Sequence, residues 1–122
     1  MSCSVSIDLH EEILTAAIRG KIDGQSAPGL QLQLLEGLGS AASAVLDVQG
    51  VSYMSSAGFR MLLLLHREIT TRHGRTAMVG LSEDVRDTME MTGFLDFFLL
   101  FDSVEEALTQ VRHHANLDAA TR

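Results

Sequence analysis

The stretch AVLDVQGVSYMSSAGFRMLLLLHREITTRHG, residues 44–74, decides the fold. Ala44 to Val48 is a short, β-branched apolar run that reads as a buried strand. After Gly50 a second apolar piece, Val51 to Met54, leads into four small residues, Ser55, Ser56, Ala57 and Gly58. Phe59 to His73 holds no proline or glycine, is rich in leucine, methionine and arginine, and is long enough for about four turns of helix. Gly74 stands where a helix stop belongs. Two serines therefore fall where a strand hands over to a helix N-terminus, and there unpaired amides and the helix dipole favour an anion.

Outward from this stretch, strands and helices alternate. Ser4 to Leu9 alternates polar and apolar residues, as a half-exposed strand does, and Ile13 to Ile22 reads as its hairpin partner across His10-Glu11-Glu12. No Asn-Gly signal marks that turn. Ser26 is a candidate N-cap with Pro28 in the first turn, and Leu30, Leu34, Leu35 and Leu38 follow helical spacing up to Gly37 and Gly39. Thr76 to Leu81 is a short strand, and Ser82 opens a helix over Val85, Met89 and Thr92 that Gly93 ends. Phe94 to Phe101 reads as the last strand. Ser103-Val104-Glu105-Glu106 is a capping box for a final helix through Ala107, Leu108 and Val111, and residues 116–122 read as a frayed tail. The order implies a single α/β domain over residues 1–122, with its core at about 4–115. Its sheet is mixed and mostly parallel, an N-terminal hairpin plus parallel strands, with about four helices.

Tyr53-Met54-Ser55-Ser56-Ala57-Gly58-Phe59 resembles the phosphorylatable loop of the STAS family, specifically the bacterial anti-sigma-factor antagonists, whose pattern is aromatic-Met-Asp-Ser-Ser/Thr-Gly-Leu. Gly20-Lys21-Ile22-Asp23 resembles that family's Gly-x-Leu-Asp, and Met91-Thr92-Gly93-Phe94 its Met-Ser-Gly-Leu. The three pieces span roughly residues 5 to 112 in the right order. Two departures stand out: Ser55 replaces the family's Asp, and Ala57 its second hydroxyl.

The resemblance implies a STAS fold, a phosphoacceptor at Ser56 and a partner surface that includes Asp23. It implies that the unmodified chain binds an anti-sigma factor that is also a GHKL-type serine kinase, so releasing a sigma factor. Phosphorylation ends the binding and a serine phosphatase of the PP2C type restores it. Related family members regulate targets other than sigma factors. The implied protein is a free monomer that catalyses nothing and needs no cofactor.

The residues also have plainer readings. Ser55 can cap the helix while Ser56 presents its hydroxyl outward, and Ala57 and Gly58 leave the first-turn amides open. Asp23 can start an Asx turn ahead of Gly24. On the central helix, Met61, Leu62, Leu65 and Ile69 share the core face. Leu63 then projects opposite, beside Arg60, Arg67 and Thr70, with Phe59 on the margin, and this patch next to the loop reads as a docking surface.

Composition narrows the class. Of the 122 residues 46% are hydrophobic and 20% charged, an ordinary globular balance. A net charge of −7 argues against nucleic-acid binding, which needs a basic face. Cys3 is the single cysteine, which suits a reducing cytoplasm. No apolar run approaches the roughly 18 residues of a membrane span, and the N-terminus has no signal pattern. The five histidines form no metal-ligand spacing and read as solvated, and Met89 and Met91 read as core filling.

Two other classes fit poorly. A phospho-aspartate receiver with Asp47 as acceptor needs an acidic pair after the first strand and a lysine near the last. Lys21, the sole lysine, comes too early, and Glu11-Glu12 sits in a turn. A serine hydrolase wants glycine where Met54 precedes the serines.

Overall fold

A computed structural model describes residues 3–120, with side chains described as far as His113. Five strands form one sheet in the order β1-β2-β3-β4-β5. These are β1 Cys3–His10, β2 Ile13–Ile22, β3 Ser43–Met54, β4 Thr76–Val79 and β5 Leu99–Phe101. β1 runs antiparallel to β2 and every other pair is parallel. The helices are α1 Ala27–Leu38, α2 Ser56–Thr71, α3 Glu83–Thr92 and α4 Val104–Ala120. The α/β class, the mixed sheet and the four helices are as the sequence implies.

The sheet has a separate apolar layer on each face. On one, Leu14, Ile18, Leu46, Val48 and Met78 pack against Leu34 and Leu38 of α1, Leu62 and Ile69 of α2, and Val85 and Met89 of α3. On the other, α4 alone supplies Ala107 and Val111 over Ile13, Val45, Ala77 and Val79. A strand buried on both faces reads as a continuous apolar run, which is why Ala44 to Val48 is so apolar.

Beyond Asp47, β3 departs from simple alternation. The inward residues are Val48, Val51 and Met54, three apart. Its register against β2 slips twice, between Ala17 and Arg19 and between Gly20 and Lys21, and at each slip β3 holds one more residue than its partner. Such bulges keep a strand paired while bending and re-aiming it. The break expected at Gly50 is therefore absent, and a single strand of 12 residues carries the chain to Ser55.

Other expectations need correction. Glu11 and Glu12 close the hairpin with φ of 50° and 70°, the left-handed pair a type I′ turn requires, although neither is Asn or Gly. His73, at φ 62°, takes the left-handed position after α2, while His73 N and Gly74 N donate to Thr70 O and Ile69 O. Gly74 serves close approach instead, because a Cβ there would collide with the Ala42 carbonyl. Phe94 to Phe101 is not one strand. A single 3-10 turn, Leu95–Phe97, follows the left-handed Gly93, and only Leu99–Phe101 pairs with β4. Met91 is 87% exposed rather than core. α4 continues through Ala120, so residues 116–120 are helical rather than a frayed tail, and the rest of that tail lies outside the described residues.

Candidate functional site

The C-terminal ends of β2 and β3 bring together the residues that the sequence singles out. Ser55 N donates to Ile22 O at 2.8 Å, which ties the head of α2 to the end of β2. Asp23 follows Ile22 directly. Its Oδ1 accepts from the amides of Gln25 and Ser26, each at 3.0 Å, and its carbonyl accepts from Ala27 N at 2.8 Å. Ser26 Oγ answers by accepting from Asp23 N at 2.9 Å and donates to Lys21 O at 2.8 Å. Asp23 therefore caps the turn into α1, and Ser26 stands at the N-cap position of α1 as expected, but its side chain bonds no amide of that helix and closes the box with Asp23 instead. The Ser26 and Gln25 amides hold the Asp23 carboxyl below its ordinary range.

Ser55 occupies the N-cap position of α2 with extended backbone, and Phe59 N donates to its carbonyl at 3.1 Å. Its side chain does not cap. The hydroxyl is buried and bonds no partner among the described residues, the helix amides included. Ser56 begins the helix and is exposed. By helix geometry the amides of Ser56, Ala57 and Gly58 have no acceptor within α2. The first turn carries no acidic residue.

Gly58 is small for a packing reason. A Cβ there would stand 2.5 Å from Met54 Cγ and 2.9 Å from Ile22 Cγ2, so only glycine lets α2 lie this close to the two strand ends. Ala57 is half-buried against the same core layer.

The outer side of α2 is one residue away from where sequence periodicity places it. Leu63 is half-buried, and Leu64, 41% exposed, stands outward with Arg60 and Arg67. The spacing 60, 64, 67 is the helical i, i+4, i+7 row, whereas Leu63 is only one step of 100° from the buried Leu62. Phe59 is core rather than margin, 7% exposed, with its ring 6.4 Å from that of Phe94. Leu64 is thus the residue that sequence reasoning missed, and counting four on from Arg60 finds it. Tyr53 and Phe97, each 51% exposed, add further apolar surface.

Two other titratable groups are perturbed. His66 is not solvated: its Nδ1 lies 3.0 Å from the buried Thr76 hydroxyl, its ring packs 5.6 Å and 5.3 Å from those of Phe97 and Phe98, and burial lowers its pKa. Cys3 pairs with Gly20 at the same end of the sheet as Asp23. Burial, and then the Asp23 charge, raise the thiol pKa above its ordinary value.

Asp47 lies well before the C-terminal end of β3, where its Oδ1 accepts from Gln49 N at 3.1 Å. Among the described residues no three His, Cys, Asp or Glu side chains are grouped to hold a metal ion, and no helix is long and apolar enough to cross a membrane.

Comparison with known proteins sets these features in a family. A family model described as STAS domain matches residues 4–107. BtrV of Bordetella bronchiseptica is 29% identical over 104 residues, covering 84% of this chain and 90% of its own. The anti-sigma-B factor antagonist of Bacillus subtilis is 27% identical over 96 residues, covering 79% and 88%. The anti-sigma factor antagonist SpoIIAA in its unphosphorylated form superposes with a TM-score of 0.79 at 20% identity, covering 90% and 97%. Bacillus SpoIIAA in the phosphorylated form gives 0.72 at 19%, covering 88% and 99%.

Proposed function

This chain belongs to the STAS domain family, and from that premise we propose that it is an anti-sigma-factor antagonist switched by phosphorylation at Ser56. The observation that carries the reading is the position of Ser56. It is the exposed first residue of a helix whose opening amides are unpaired, in a domain whose relatives include two named anti-sigma factor antagonists. A neighbour of the same fold has been solved in both unphosphorylated and phosphorylated forms.

In this reading the unmodified chain, a monomer in the cytoplasm, docks on an anti-sigma factor that is also a GHKL-type serine kinase. The docking surface is the loop Ser55 to Gly58 with Asp23 beside it, continued along α2 by Arg60, Leu64 and Arg67. Two guanidinium groups flanking an exposed leucine suit an acidic partner surface with an apolar pocket. The kinase transfers the γ-phosphoryl group of ATP to Ser56 Oγ; the hydroxyl proton leaves to a base and ADP departs. A phosphate of about −1.5 to −2 charges then has to be desolvated or collides at the interface, and the complex separates. Hydrolysis by a PP2C-type phosphatase returns the free hydroxyl. The chain itself performs no catalysis.

The experiment is a capture from extracts of the native cells with immobilised wild-type chain and with Ser56→Asp. Wild type should retain an ATP-binding anti-sigma factor that labels Ser56 when ATP is supplied, and Ser56→Asp should retain none. Label that persists in Ser56→Ala would end the reading.

A further inference from the structure

We infer that Arg60 is a built-in counter-ion for the phosphorylated form of Ser56, an inference that rests on the reading of Ser56 as the acceptor. Ser56 opens α2 and Arg60 lies four residues on, so their side chains leave the same helix face with Cβ atoms about 5–6 Å apart. Both are exposed. Among the described residues no carboxylate pairs with Arg60, whereas Arg72 is held by Glu68 at 2.9 Å and Arg112 by Glu11 at 3.1 Å. The order of the pair is the favourable one, anion toward the helix N-terminus and cation one turn later. A planar guanidinium can also give two parallel N–H bonds to phosphate oxygens.

The other charged groups at this end leave Arg60 that role. Lys21 and Asp23 stand at the end of β2, where the Lys21 charge acts on the Asp23 carboxylate, itself engaged by the Gln25 and Ser26 amides. Ser55, the immediate neighbour, is uncharged, and no acidic residue lies in the first turn of α2. Phosphorylation therefore does two things at once. It adds negative charge to the loop, and it draws the Arg60 guanidinium back along the helix, away from the row it shares with Leu64 and Arg67. The docking surface loses a cation as well as gaining an obstacle.

The test is a phosphorus NMR titration of the chain with phosphoserine placed at position 56 during translation. The wild-type phosphate should titrate below the same phosphoserine in an unstructured peptide of residues 50–65. Arg60→Gln should raise the midpoint by about 0.3 to 0.5 pH unit, a two- to threefold change in proton affinity. Arg60→Met, which keeps the stem without the charge, should repeat the shift, and Arg67→Gln should titrate as wild type. Superimposed curves for wild type and both Arg60 variants overturn the inference, as does an equal shift in Arg67→Gln, which would reflect only the general positive field of α2. Because translation rather than a kinase places the phosphate, the titration depends on the pair alone. Failure of the acceptor reading would show separately, as Ser56 staying unlabelled by the captured kinase.

Discussion

The backbone amide of Ser55 donates to the carbonyl of Ile22 at 2.8 Å, so the last residue of β2 holds the first turn of α2 in place. Three residues on, Gly58 leaves no room for a methyl group between Ile22 and Met54. The loop that carries Ser56 is thus pinned from both sides, by a hydrogen bond before it and close packing after it.

Gly58→Ala should therefore destabilise the domain by about 1 to 3 kcal/mol, the usual cost of overpacking. Urea unfolding followed by circular dichroism measures it. A loss near zero would mean that α2 can lift off the strand ends without penalty.

Ser55→Ala should change stability by less than about 0.5 kcal/mol, where losing a working N-cap costs about 1 kcal/mol. The reason is that the Ser55 hydroxyl bonds none of the helix amides. A thermal melt that drops by several degrees would show that the hydroxyl caps in solution.

Much of this was legible in sequence, and what was not has physical causes. Ser82, Gly93 and Ser103 announce helix ends because a cap is settled within four residues: Ser82 Oγ accepts from Val85 N, and Ser103 Oγ from Glu106 N. The strand-to-helix handover at Ser55 and Ser56 and the Asx turn at Asp23 were legible for the same local reason, whereas the cap expected of the Ser55 hydroxyl is not made. The course of β3 was not, because its three-residue spacing exists only in register with β2. Leu63 and Leu64 differ by 100° of helix rotation, and the burial of Phe59, placed on the margin by the sequence, turns the core face toward Leu63. Met91 reads as core filling and Phe97 as part of the last strand. The left-handed turn at Gly93 sends the chain into a 3-10 turn that leaves Phe97 outside.

Leu64→Ala should leave stability within about 0.5 kcal/mol of wild type, as surface changes usually do, while weakening the captured partner. Leu63→Ala, at a half-buried position, should cost more stability than Leu64→Ala. Calorimetry with the purified partner reads the first effect and urea unfolding the second. Equal affinity for wild type and Leu64→Ala would remove α2 from the docking surface.

Ser56→Asp should keep the melting behaviour and amide spectrum of wild type and lose the partner. An anion at a helix N-terminus is favourable by roughly 0.3 to 1 kcal/mol, so the fold has no reason to change. Amide shifts that spread far beyond residues 50–65 would make the switch conformational instead.

Mild acid should weaken the domain through His66. Its pKa is lowered by burial in the folded state, so the unfolded chain binds the proton more readily. Stability from this group is full above the unfolded value near 6.5 and falls as pH drops below it through the lower folded value. His66→Gln, which keeps a partner for Thr76, should flatten that part of the pH profile. An unchanged slope in denaturation midpoints between pH 7.5 and 5.5 would contradict it.

Cys3, the chain's one thiol, sits across from Gly20 at the end of the sheet that carries Asp23, with its ionisation suppressed by burial and by that carboxylate. Alkylating reagents attack the thiolate, so the native chain holds a slow chemical clock beside its candidate interface. Mass spectrometry can time iodoacetamide uptake at Cys3 without an engineered label. The clock should run faster in Asp23→Asn, and slower still whenever a bound protein shields this pole of the sheet.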